Sequence, residues 1–224
     1  MQSVMNHTFS EVPRAEIQRS SFNRSHGYKT TFDADYLVPV LVDDIMPGDT
    51  FNVSMDFFTR LATPLYPIMD NMYLESFFFF VPYRTVWPNW KKMHGEQDNP
   101  ADSIDFTVPL LTGSETIATG DLADYMGLPI GIAPSNHNIS ALPFRAYRKI
   151  WNEWFRDENL QNSLSFPTDD GTDTAAESEF DEVPKKRNKR HDYFTSCLPW
   201  PQKGDSVTIG LSGTIPVTGL TARS

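Results

Sequence analysis

Apolar and polar positions alternate along the early chain and give way later to a helical spacing. From Thr50 to Thr59, Phe51, Val53, Met55 and Phe57 share one face and Asn52, Ser54 and Asp56 the other. That pattern predicts a half-buried antiparallel strand. Tyr36 to Val42 is β-branched and apolar, and Pro39 confines it to a sheet edge or a bulge. Between these segments, Met46-Pro47-Gly48-Asp49 carries Pro and then Gly at its centre, the chemistry of a type II turn. Met72 to Val81 ends in Phe77-Phe78-Phe79-Phe80-Val81 and is apolar on nearly both faces. A strand of that kind must be covered on both sides, by a second sheet and by helices or a neighbouring subunit, because left bare it promotes aggregation. Leu61 to Asn71, with Pro64 and Pro67, reads as a loop.

Beyond Pro82 the pattern changes. Trp87 to Met93 suggests one helical turn, and Asp121 to Met126 a short helix capped by Asp121 and stopped at Gly127. Leu142 to Leu160 is the clearest helix. Phe144, Tyr147, Trp151, Trp154 and Phe155 form a stripe expected to pack into a core. Arg145, Arg148, Lys149, Asn152, Glu153 and Arg156 lie elsewhere, with Lys149 and Glu153 spaced as an i,i+4 pair. Thr168 to Glu182 carries seven acids among small residues and reads as an exposed loop. The basic run Lys185-Lys186-Arg187-Asn188-Lys189-Arg190 follows at once, and Ser206 to Leu211 alternates as the start of a strand. Residues 1–30, with Arg14, Arg19, Arg24 and Lys29 and no apolar period, read as an extended arm that either stays free or orders against a partner subunit or a nucleic acid.

Composition sharpens this outline. The 17 prolines in 224 residues exceed the average share of ~5%, which favours turns and edge strands over long helices. The fold class is therefore mainly β, with large connecting loops and a few short-to-medium α-helices. A net charge of −10 makes the chain as a whole a poor non-specific nucleic-acid binder, because phosphate binding needs Lys and Arg to displace counterions. Its single cysteine excludes an internal disulfide. The N-terminus lacks the pattern of a signal peptide and no apolar run approaches ~18 residues, so a soluble, cytosolically made chain without membrane insertion is expected.

Chemistry is hard to find. His7, His26, His94, His137 and His191 are scattered without metal-ligand spacing. No nucleophile elbow, phosphate loop or dinucleotide fingerprint is present. Asp169 to Asp173 lacks the ligand spacing and terminal Glu of a calcium loop. Cys197, near His191 in sequence, reads as a buried small hydrophobe rather than a nucleophile. No catalytic residue, metal or cofactor is expected. The aromatic and proline-rich stretch Arg190 to Gly204 instead suggests a shaped surface. Lys185, Lys186, Arg187, Lys189 and Arg190 suit either a nucleic-acid patch or a balance for the preceding acids. Phe78, Phe80, Trp87, Trp90, Tyr193, Phe194 and Trp200 are candidate packing or subunit-interface anchors, and rings following a basic run also suit base stacking.

Several long motifs carry a resemblance. Pro13 to Glu16, Phe22 to Ala34, Leu37 to Val40, Pro47 to Phe51, Leu61 to Pro64 and Met69 to Asn71 are among them. Phe77 to Pro82, Leu142 to Tyr147, Ile150 to Asp157 and Arg190 to Gly204 complete the set. Across almost its whole length the chain resembles the N-terminal portion of the major capsid protein family of gokushoviruses (Microviridae). The resemblance implies a viral jelly-roll β-sandwich with long loop insertions, self-assembling into a small T=1 icosahedral shell around circular single-stranded DNA. It implies residence in the virion, synthesis in the host bacterial cytoplasm, and recognition of a host surface receptor. Family members are much longer, so the jelly roll here is expected to be incomplete. Residues 1–30 would be the arm, 31–82 the first strands, 83–195 a loop and helical insertion, and 196–224 a return to the sheet and the start of a variable insertion. An acidic shell subunit cannot neutralise a genome by itself, so counter-charge is expected from a small basic internal protein and from the arm. The competing reading is a carbohydrate- or ligand-binding β-sandwich module.

Overall fold

The computed structural model describes residues 18–101, 105–198 and 204. Arg14, Trp200 and the strand expected from Ser206 to Leu211 lie outside the described residues.

The helix expected from Leu142 organises the fold. Helix α3 spans Leu142–Ile150, with Pro143 in its first turn, where a missing N–H costs no hydrogen bond. It continues as a wider π-helical turn, Trp151–Phe155, before Arg156 returns to extended backbone. Phe144, Trp151 and Phe155 are buried and Tyr147 is half-buried, as the stripe predicts. Trp154 departs from it at 63% exposed, because the widened turn shifts the phase of the residues that follow. Two apolar clusters meet at α3. Phe144 joins Leu111, Ile117, Leu122, Ala123, Ala141 and Phe180. Leu142 joins Val86 and Trp87 on the other side.

Shorter elements close around this helix. A 3₁₀ turn, Tyr83–Thr85, leads to α1 (Trp90–Met93), and α2 spans Leu122–Tyr125. Asp121 is the N-cap of α2, as expected, although its carboxylate accepts from the Ala118 N–H at 2.6 Å rather than from the helix. Gly127 ends the element with φ of +93°, a conformation glycine adopts without a Cβ clash. Strand β1 (Leu110–Leu111) pairs in parallel with β2 (Thr172–Asp173), Leu110 opposite Thr172 and Leu111 opposite Asp173. Helix α4 (Ala175–Ser178) follows directly, its start fixed by Glu177 Oε2, which accepts from Thr174 N at 2.7 Å and Thr174 Oγ1 at 2.8 Å.

Two expectations need correction here. The segment from Thr168 to Glu182 is not an exposed acidic loop: it contributes β2, α4 and the buried Asp173, Ser178 and Phe180. Asp173 and Glu179 turn inward because α3 offers them buried cations, Arg145 and Arg148, which lie off the apolar stripe. The second correction concerns the sheet. Tyr36–Val42, Thr50–Thr59 and Met72–Val81 are expected strands, but among the described residues only Tyr36 bridges another segment, Lys186, with Leu37 N donating to Lys185 O at 2.9 Å. A mainly β architecture is thus not what the described residues display. Strands need ladder partners and a covering layer, and every buried residue described lies between Val86 and Pro184, outside these segments. The turn between the first two forms as expected, with Asp49 N donating to Met46 O at 3.1 Å and Gly48 at φ +85°.

Candidate assembly surface

Residues 72–81 place their side chains with the two-residue alternation of an extended chain. Glu75, Phe77 and Phe79 turn toward the end of α3. The Phe77 ring meets Phe155 edge-on at 5.3 Å between centroids, and Phe79 meets Phe155 at 5.7 Å and Trp154 at 6.1 Å. Phe78 and Phe80 turn away and are 60% and 72% exposed. Earlier in the chain, Phe58, Leu65 and Met69 are almost wholly exposed. Soluble monomers rarely leave contiguous apolar patches of more than a few hundred Å² bare, and such patches mark interaction sites.

Glu75 connects this segment to the basic run. Its carboxylate pairs with both Arg187 and Arg190. Arg187 also lies over the Phe77 and Phe155 rings, 5.7 and 5.8 Å from their centroids, and Arg190 lies 5.7 Å over Tyr73. Lys185 pairs with Glu179 at 3.0 Å and Glu182 at 3.1 Å, and burial, which lowers a lysine pKa, is outweighed by these two acids, which hold it above its ordinary value. Lys186 sits 5.0 Å over the Tyr36 ring, and Lys189 is exposed. The run therefore anchors the chain to Glu75 and to the acids before it, while Lys186 and Lys189 carry charge outward.

The next residues form a tight loop. Asp192 Oδ1 accepts from Phe194 N and Thr195 N, each at 2.8 Å, and from Thr195 Oγ1 at 3.0 Å. These bonds hold the Asp192 carboxyl below the usual carboxylate range. The Tyr193 and Phe194 rings stand in solvent at 90% and 87% exposed, 5.6 Å apart and nearly perpendicular. Cys197, expected to be buried, is exposed, because the loop that carries it lies on no apolar layer.

Trp87 and Trp90 are packed within the chain. Trp87 is fully buried and donates from Nε1 to Asp170 Oδ1 at 2.6 Å, and Asn89 Nδ2 donates to the same oxygen at 2.8 Å. Burial raises the Asp170 pKa, but these donors and the Thr107 N–H outweigh it and leave the group below its ordinary value. Trp90 is half-buried, between Tyr83 at 4.6 Å and His94 at 4.5 Å. Asn89 was not singled out in the sequence, and Asp170 figured there only within the rejected calcium loop. The arm is tied down in part: Arg24 pairs with Asp43 at 2.5 Å, Arg19 donates to Gly48 O, and Lys29 is exposed. Tyr28 and Tyr125 cross-link it to α2 through Tyr28 Oη to Tyr125 O at 3.1 Å and Tyr125 Oη to Thr31 O at 2.8 Å.

Among the described residues no group of three His, Cys, Asp or Glu could hold a metal, and no helix is long and apolar enough to cross a membrane. The Cys197 Sγ contacts only its neighbour's carbonyl, Leu198 O, among the described residues, while His191 Nε2 lies 3.4 Å from Asn188 Nδ2.

Comparison with known proteins follows the same direction. The model of the family described as "Capsid protein (F protein)" matches residues 10–224. "Capsid protein VP1" of Chlamydia phage 1 is 48% identical over 99% of this chain, which covers 41% of that protein. "Capsid protein VP1" of Bdellovibrio phage phiMH2K is 46% identical over 95% of the chain and 39% of that protein. "Capsid protein VP1" of Spiroplasma virus 4 is 32% identical over 95% and 40%. The chain spans about two fifths of the length of these curated relatives.

Proposed function

Because this chain belongs to the capsid protein (F protein) family, we propose that it is a structural capsid subunit that joins copies of itself in a small T=1 icosahedral shell. The shell encloses a circular single-stranded DNA genome, and the protein's place is the virion. The observation that carries the reading is the apolar segment 72–81, whose outward-facing Phe78 and Phe80 are exposed although adjacent rings pack against α3. Large rings left bare along such a segment suit burial by another polypeptide.

The segments Tyr36–Val42, Thr50–Thr59 and Met72–Val81 are strands of a jelly roll. The apolar alternation of Thr50–Thr59 and the bridge from Tyr36 to Lys186 support that assignment. Arg14, Arg19, Arg24 and Lys29 of the arm, with the outward charge of Lys186 and Lys189, supply a small share of the genome's counter-charge. The net charge of −10 leaves the larger share to a separate small basic protein inside the shell. The host receptor would meet the outer loops, and synthesis occurs in the bacterial cytoplasm.

Electron microscopy of particles purified from infected cells, with mass spectrometry of their subunit, tests this reading. Closed icosahedral shells whose subunit yields peptides from this chain are the expected result. A stable monomer with affinity for a sugar would instead indicate a lectin-like sandwich.

A further inference from the structure

We propose that the loop from Lys189 to Thr195 is a stacking platform for single-stranded nucleic acid, with Tyr193 and Phe194 taking bases and Lys189 and Arg190 meeting phosphates. The loop is preorganised. Asp192 caps it through Phe194 N, Thr195 N and Thr195 Oγ1. Two large rings are thus held in water by a turn that is already formed, with 87° between their planes. One ring can take a base face to face while the other meets its edge.

The surroundings favour a polyanion over a protein. Cores of protein interfaces are depleted of charge, whereas these rings emerge among Lys189, Arg190, His191 and Asp192, all exposed. The basic run also outweighs its own acids. Lys185 is taken up by Glu179 and Glu182, and Arg187 and Arg190 share the single carboxylate of Glu75. No ion pair joins Lys189 among the described residues, and with Arg190 it sets two cations against the one carboxylate of Asp192 in the loop that carries the rings. Exposed rings beside exposed cations are the chemistry by which proteins hold unpaired strands without reading their sequence. The inference rests on the capsid reading only for the expectation that the strand is genomic DNA.

Fluorescence anisotropy of labelled oligo(dT) with the purified chain tests it. The unsubstituted chain should bind oligo(dT) more tightly than a duplex of equal length, whose bases are already stacked. Replacing both rings (Y193A/F194A) should weaken oligo(dT) binding at least tenfold while leaving the salt dependence unchanged. K189A should reduce the slope of log affinity against log salt by about 0.7. Y193W, which keeps a ring, should retain affinity and show indole quenching on binding. No binding by the unsubstituted chain, equal binding after both rings are removed, or an unquenched Trp would each overturn the proposal. So would loss of self-association in Y193A/F194A with oligo(dT) affinity intact, which would mark the loop as a contact with a second copy. Sedimentation of the same samples separates the two readings: assembly that persists without ring-dependent binding ends this inference and leaves the capsid reading standing.

Discussion

Arg145 and Asp173 form a two-point ion pair inside the protein, Nη2 to Oδ1 at 2.5 Å and Nε to Oδ2 at 2.8 Å, with both side chains only 1% exposed. The same guanidinium donates from Nη1 to Val86 O at 3.2 Å and Asp169 O at 3.1 Å. One side chain therefore joins α3, β2 and the segment leading to Trp87. Removing a single partner strands a buried charge. Asp173→Asn should cost about 3–5 kcal/mol in chemical denaturation, and Arg145→Met a similar amount, whereas Arg145→Met with Asp173→Leu should recover part of the loss.

Trp87 to Asp170 is the second internal tie. Trp87→Phe keeps the ring and deletes the donor, so a loss of about 1.5–3 kcal/mol is expected. The Asp170 pKa lies below its ordinary 3.8 in the folded chain, so its stabilisation is present above that pH and disappears as pH falls through the lower folded value. Unfolding measured from neutral to strongly acid pH should show the Asp170→Asn penalty shrinking over that acid range.

Asp181 should behave in the opposite sense. Burial raises its pKa from 3.8, assisted by Glu115, Glu182 and Asp121, so the folded chain binds this proton more tightly than the unfolded one. Its charged form opposes folding once pH exceeds both values. Asp181→Asn is expected to raise the unfolding midpoint at neutral pH and to leave it unchanged well below pH 3.8.

Much of this organisation was legible in the chain. The turn at Pro47-Gly48, the cap at Asp121 with its stop at Gly127, and the i,i+4 pair Lys149–Glu153, closed at 2.5 Å, follow from local chemistry that depends on few distant contacts. Burial of Arg145 and Arg148 was not legible, because a cation beside an apolar stripe reads as solvated until its counterion is known. The counterions came from a segment whose seven acids among small residues read as an exposed loop. Thr174-x-x-Glu177 was the one local sign that this segment folds, since that spacing is a capping box. The candidate anchors divided in the same way. Trp87 is buried by its own chain, while Phe78, Phe80, Tyr193 and Phe194 are not, and sequence alone cannot separate a ring that packs inward from one that awaits a partner.

Glu75 restrains two arginines and, through Phe77 and Phe79, the segment that carries the exposed rings. Glu75→Gln should release Arg187 and Arg190. Hydrogen exchange across residues 72–81 should rise, and affinity for oligo(dT) should increase with a steeper salt dependence.

The measurement closest to the central claim is sedimentation velocity of the purified chain over a wide concentration range, with Phe78→Asp/Phe80→Asp as the comparison. Rings exposed for burial between subunits predict concentration-dependent growth of large species in the unsubstituted chain and a monomer boundary in the variant. A single monomer boundary for both proteins at every concentration would contradict it.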